Sequence, residues 1–210
     1  MRFVVVTAAF ALLVGAALSG CAAKVPGNPV AEPTVAAADP AHGPGAVAGG
    51  FTDPTGRFGL VPPAGWVVDT SGASSTAALF LDPRPTPTDA GNFTANINVL
   101  IVPKAGALPD VVADAQREMS SLASYRALED EPFPLADGHP GYLIGGRFDD
   151  PAGYPLRNIQ LFSVQDDRTV VVTGTALAPA WEEFGPVFDA VLRTVSVGAT
   201  SPAPGTGLAE

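Results

Sequence analysis

The chain has 210 residues, a formal net charge of −10 and a mean hydropathy of +0.26, with 22 prolines, 23 glycines and one cysteine. Nucleic acid is excluded as a partner, because phosphate backbones are held by clustered Lys and Arg, whereas the lysines here are Lys24 and Lys104 and the arginines are scattered. A lone cysteine also excludes an internal disulfide.

In chain order, Met1-Arg2 opens an apolar run from Phe3 to Leu18 that ends in Leu18-Ser19-Gly20-Cys21. As a helix this run is roughly 24 Å long, short of the ~30 Å hydrocarbon core, so residues 1–20 are expected to be an export signal rather than a permanent span. Small residues at Ser19 and Gly20 make a lipobox, with Cys21 as the first mature residue and the acceptor of a diacylglycerol thioether. Two or more acyl chains give a durable anchor, at about 0.8 kcal/mol per buried CH₂. Cleavage removes Arg2 and no acid, which takes the formal charge from −10 to −11. Attachment to the membrane therefore depends on the lipid on Cys21 and not on basic residues. The expected location is the extracytoplasmic face of the cell membrane, with shedding or secretion as the alternative.

Residues 22–50, rich in Ala, Pro and Gly, lack apolar periodicity and read with Cys21 as a disordered tether with a span of about 30 Å. Residues 198–210 have the same character, and residues 51–197 between them form one domain-sized block. Within it, the clearest strand runs from Asn92 to Ile101. Period two there puts Phe93, Ala95, Ile97, Val99 and Ile101 on one face and Thr94, Asn96 and Asn98 on the other, wetter one. Further strands are predicted over Arg57 to Val61, Trp66 to Asp69, Ala77 to Asp82, Gly141 to Phe148, Arg157 to Val164 and Arg168 to Ala176, the last two joined at Asp166-Asp167. Leu108, Val111, Val112, Ala115, Met119 and Leu122 form one helical stripe, with Pro109 in its first turn. A second helix is predicted from about Pro179 to Arg193, with Trp181, Phe184, Phe188, Val191 and Leu192 inward and a break or kink at Gly185-Pro186; a short turn followed by a longer helix is equally acceptable. The order of elements gives an α+β layered domain with a mostly antiparallel sheet flanked by helices.

The stretch Phe51-Thr52-Asp53-Pro54-Thr55-Gly56-Arg57-Phe58, followed by Val61-Pro62-Pro63-Ala64-Gly65-Trp66, resembles the opening of the mycobacterial LpqN/LpqT lipoproteins. The resemblance continues in order through Phe93 to Val99, Arg157 to Phe162, Val171 to Ala176 and the terminal helix with Trp181. It implies a PsbP-like sandwich exported to the actinobacterial envelope. It also implies a role in mycolate-lipid traffic and host interaction rather than a defined reaction, and it brings no catalytic motif.

Chemistry is sparse. The histidines are His42, in the tether, and His139, in the turn-like Asp137-Gly138-His139-Pro140-Gly141, and no Gly-x-Ser-x-Gly elbow or Ser-x-x-Lys accompanies them. Asp149-Asp150 and Asp166-Asp167 read as solvated turn acids, without the spacing of a metal site. No phosphate loop can be written, so no cofactor is expected. What remains is a polar patch on the sheet. Asn96, Asn98, Arg157, Asn158 and Gln160 could converge on sugar hydroxyls, with Phe162 and Tyr142 supplying apolar contact; the alternative is the solvent-facing side of an antiparallel sheet. The function expected is a non-enzymatic, lipid-anchored binding module whose partner is an envelope glycolipid, a membrane lipid exporter or a host protein. The alternative is an envelope-lipid hydrolase built around His139.

Overall fold

The computed structural model describes residues 49–72, 75–89, 91–104, 106–165 and 167–198. The expected export signal, Cys21, nearly all of the expected tether and the tail beyond Gly198 lie outside the described residues.

Seven strands form the central sheet, in the order β3 (Val67–Asp69), β4 (Ala78–Leu81), β7 (Asn96–Pro103), β11 (Arg168–Leu177), β10 (Pro155–Val164), β9 (Tyr142–Asp149) and β8 (Arg126–Pro132), and each neighbouring pair is antiparallel. Two small pairs stand outside it: β1 (Phe51–Thr52) with β2 (Gly59–Leu60), and β5 (Thr86–Thr88) with β6 (Gly91–Phe93). Helix α1 (Leu108–Met119) packs over β10 and β9, and helix α2 (Trp181–Leu192) packs over β11 and β10. The helices cover opposite faces, so the sheet has a core on each side.

Period two sorts the residues between those cores. On the α2 face, Ile97, Val99, Ile159, Leu161, Val170 and Val172 pack beneath Phe184, Phe188, Val191 and Leu192. Gly174 lies under Phe188, and a Cβ there would meet the ring at 2.6 Å, so the absence of a side chain is what lets the helix settle. On the α1 face, Leu100, Ile144, Phe148, Leu156, Phe162 and Val171 pack with Val112 and Met119. The α1 stripe falls as its spacing predicts. Asp110 in the first turn and Arg117 in the last complement the helix dipole.

Four features differ from the sequence expectations. The strand predicted over Asn92 to Ile101 is two strands: Asn92 and Phe93 belong to the β5–β6 pair, and the main-sheet strand starts at Asn96. The phase slips at Thr94-Ala95, where the Ala95 carbonyl accepts from the Asp82 N–H at 2.9 Å and the Thr94 carbonyl from the Asn96 amide at 3.0 Å. Phe93 consequently packs in the α1-face core rather than with Ala95 and Ile97. Secondly, α2 runs through Gly185-Pro186 without interruption, after a 3-10 turn at Ala178–Ala180. Pro186 lies on the exposed side, and burial of four apolar side chains on the other outweighs the lost backbone hydrogen bond, a cost of about 3 kcal/mol. Thirdly, Gly59 and Leu60, within the strand predicted over Arg57 to Val61, pair outside the main sheet with β1, and Gly59 bridges to Ser196. Lastly, β8 has no counterpart among the predicted elements: its sequence, Arg-Ala-Leu-Glu-Asp-Glu-Pro, is that of a charged edge strand, bulged between Ala127 and Glu129.

Candidate functional site

The polar residues singled out from sequence do not all come together. Asn98 on β7 lies opposite Thr173 on β11, which lies opposite Gln160 on β10. One row along, Asn96 faces Thr175, and Thr175 faces Asn158. These two rows form a polar floor on the α1 face. Arg157 precedes Asn158 by one residue and so points to the other face, where its guanidinium stacks 4.3 Å from the Trp181 ring centroid and pairs with Glu129. Phe162 and Tyr142, opposite one another on β10 and β9, are both in the α1-face core.

The floor is covered rather than facing solvent. Asn158, Gln160, Thr173 and Thr175 are each at most 5% exposed, and Asn96 and Asn98 are half-buried. Its polar groups are poorly satisfied. The Gln160 and Asn158 amides donate to Met119 Sδ at 3.2 and 3.9 Å, and a thioether is a weak acceptor. Asn98 Oδ1, Asn158 Oδ1 and Thr173 Oγ1 are buried without a hydrogen-bond partner in the protein, as is Thr169 Oγ1 further along the same face. Each such atom costs about 1–3 kcal/mol. Sequence reasoning missed the threonines, although Thr169, Thr173 and Thr175 recur at even spacing along β11 and so share a face. It also missed Met119 as a polar contact.

Beside α1, a shallow groove of about 250 Å³ is lined by Leu108, Pro109, Val112, Ala113, Gln116 and Tyr142, without any residue of the floor. Its polar end is Asp130 on β8, whose Oδ1 accepts from the Gln116 amide at 2.8 Å and from the Tyr142 hydroxyl at 2.9 Å. That carboxylate pushes the Tyr142 phenol up. Near the other end of α1, burial pushes the Glu118 carboxyl up to about 6. The groups of the floor itself are amides and hydroxyls, which bind polyols without exchanging protons near neutral pH.

The His139 corner is built differently. His139 Nδ1 lies 3.0 Å from Asp137 Oδ1, and Asp137 Oδ2 accepts the Val197 and Gly198 N–H groups at 2.7 and 2.9 Å. Burial opposes ionisation of Asp137, but the Gly198, Val197 and His139 N–H donors outweigh it and hold the carboxyl at about 2. Ser163 turns its hydroxyl to the Pro140 carbonyl rather than to the ring. The geometry is that of a clasp on the C-terminal segment. Asp150 caps its turn by accepting from the Ala152 and Tyr154 N–H groups, the local bonding that suits aspartate to turns. Among the described residues no three of His, Cys, Asp and Glu converge to hold a metal, and no helix is long and apolar enough to cross a membrane.

No protein-family model and no curated protein matches the chain. Among solved structures, LpqN of Mycobacterium tuberculosis, described as involved in cell envelope biogenesis, superimposes with a TM-score of 0.52 at 14% identity, over 66% of this chain and 82% of that one. The α+β arrangement implied by the sequence resemblance, an antiparallel sheet flanked by helices, is the arrangement present. Also similar are cyanobacterial PsbP from Synechocystis, with a TM-score of 0.49 at 18% identity over 71% of this chain and 91% of that one, and PA94, a Pseudomonas aeruginosa protein of unknown function, with 0.48 at 15% over 61% and 81%.

Proposed function

We propose that this chain is a non-enzymatic lipoprotein of the cell envelope, anchored through Cys21, that binds the sugar headgroup of an envelope glycolipid on the polar floor beside α1. The observation that carries the reading is the set of buried, partnerless oxygens on Asn98, Asn158 and Thr173, on three adjacent strands and in two neighbouring rows of the α1-face layer. Hydroxyl donors of a sugar would satisfy them, and Phe93, Phe162 and Tyr142 in the same layer supply apolar contact. The shallow groove beside α1 suits a headgroup or the entry of a chain rather than engulfment of whole acyl tails. The envelope setting rests on the apolar run ending at Cys21, together with the involvement of LpqN in cell envelope biogenesis. A shared fold does not by itself carry function, so the assignment stands on this chain's own residues.

The test is glycolipid capture from envelope extract, quantified by mass spectrometry, for the native chain, Asn98→Ala and Thr173→Val. Both variants are expected to bind at least about tenfold less, since a site built for hydroxyls is left mismatched. Thr173→Val is also expected to melt higher, because it removes a buried hydroxyl that has no partner. Undiminished capture by both folded variants would refute the assignment.

A further inference from the structure

Among the described residues every arginine has a carboxylate partner except Arg126 and Arg147. These two are directly opposite each other on β8 and β9, and Arg147 is in turn opposite Arg157 on β10. Three arginines thus occupy one cross-strand row on the α2 face, in a chain whose net charge is −10. Like charges placed directly opposite destabilise a sheet, so the row costs free energy unless an anion joins it. Arg157 is fixed in place: its guanidinium lies 4.3 Å from the Trp181 ring centroid and pairs with Glu129 Oε1, yet its Nε is buried without a partner. Arg126 and Arg147 are exposed. The other acids sharing this face nearby are Glu129, whose Oε1 pairs with Arg157 while its Oε2 is buried without a partner, Glu131, two residues along β8, and Asp149, two residues along β9 and in no ion pair.

We propose that Arg126, Arg147 and Arg157 form a binding site for a phosphate group, with Trp181 as the platform that orients Arg157. Guanidinium forks match phosphate oxygens in bidentate fashion, and the row spans only about 10 Å across three strands, so long side chains can converge on one group. The site is on the opposite face of the sheet from the polar floor and stands or falls independently of glycolipid binding. The phosphate can belong to a soluble ester or to a lipid headgroup.

The experiment uses the full chain in non-ionic detergent micelles and follows the Trp181 indole N–H and the Arg157 Nε–H by NMR. One arm adds inorganic phosphate; the other dopes the micelles with phosphatidylglycerol or, as control, phosphatidylcholine. Saturable shifts are expected, weakened at least about tenfold in R126Q/R147Q and unchanged in K104Q, with thermal melts confirming that each variant is folded. Response to phosphate itself assigns the group alone as sufficient; response only to phosphatidylglycerol assigns the headgroup at a lipid surface. Shifts absent from both arms, retained in R126Q/R147Q, or lost equally in K104Q would overturn the site.

Discussion

Glu118 stands beside Met119 at the C-terminal end of α1, where burial raises its carboxyl to about 6 from 4.5. Below pH 4.5 the group is protonated in folded and unfolded chains alike and contributes nothing. As pH rises toward 6 the unfolded chain ionises first, and above 6 the folded chain carries the full penalty. The shift corresponds to about 2 kcal/mol, which partial exposure reduces to about 1 kcal/mol. Glu118→Gln is therefore expected to stabilise the protein by about 1 kcal/mol at pH 7.5 and not at pH 4, measured by urea unfolding at both values. An equal gain at both would mean that local packing rather than charge is at work.

At the scale of elements, α2 is held by packing rather than by propensity. Phe188 is fully buried, lies on Gly174 and meets the rings of Trp66, Trp181 and Phe184 at centroid distances of 6.3, 5.5 and 6.2 Å. Phe188→Ala is expected to cost about 3–5 kcal/mol in chemical denaturation, since the rigid sheet beneath cannot collapse into the void. Pro186→Ala should do the reverse, restoring a backbone donor on the exposed side and adding about 1 kcal/mol or more. A loss of stability on that substitution would show that the proline ring itself packs. The edge strand β8 is the counterpart case: Glu129, Asp130 and Glu131 discourage pairing with another chain, while two of them also serve inside the molecule, Glu129 with Arg157 and Asp130 with Tyr142 and Gln116.

For the whole molecule, two carboxylates hold the ends of the described body: Asp53 closes a local turn at the N-terminal end, and Asp137 ties the C-terminal end to the middle. Asp53 accepts from Arg57 and Thr55 and is held well below the usual carboxylate range, chiefly by the Arg57 guanidinium. Asp137 clasps Val197 and Gly198, while Ser196 and Gly59 exchange backbone hydrogen bonds. Because both folded-state values are depressed, their stabilisation is fully present above about pH 4 and is lost as pH falls, toward 2 for Asp137 and further below for Asp53. Acid titration followed by circular dichroism is expected to show unfolding in that window. Asp137→Asn should already lose part of that stability at pH 7 and expose the Val197 and Gly198 amides to faster hydrogen exchange. Unchanged exchange would mean that the clasp is not needed to hold this segment.

By itself the sequence determined the acidic charge, the helical stripe of α1 and the alternation of β7, β9, β10 and β11, because these are periodicities within one segment. The same alternation already separates Arg157 from Asn158 and Gln160. It cannot say which side of β10 joins Asn96 and Asn98, since that depends on register between strands distant in the chain. Nor could it find β8, whose polar residues have no period and become a strand only because β9 offers an edge. The phase slip at Thr94-Ala95 was equally invisible, being fixed by hydrogen bonds from Asp82 and Asn96. Tertiary structure alone decided that the polar floor lies buried in the α1 layer and that three arginines line up on the opposite face, because cross-strand register, not local propensity, sets which side chains meet.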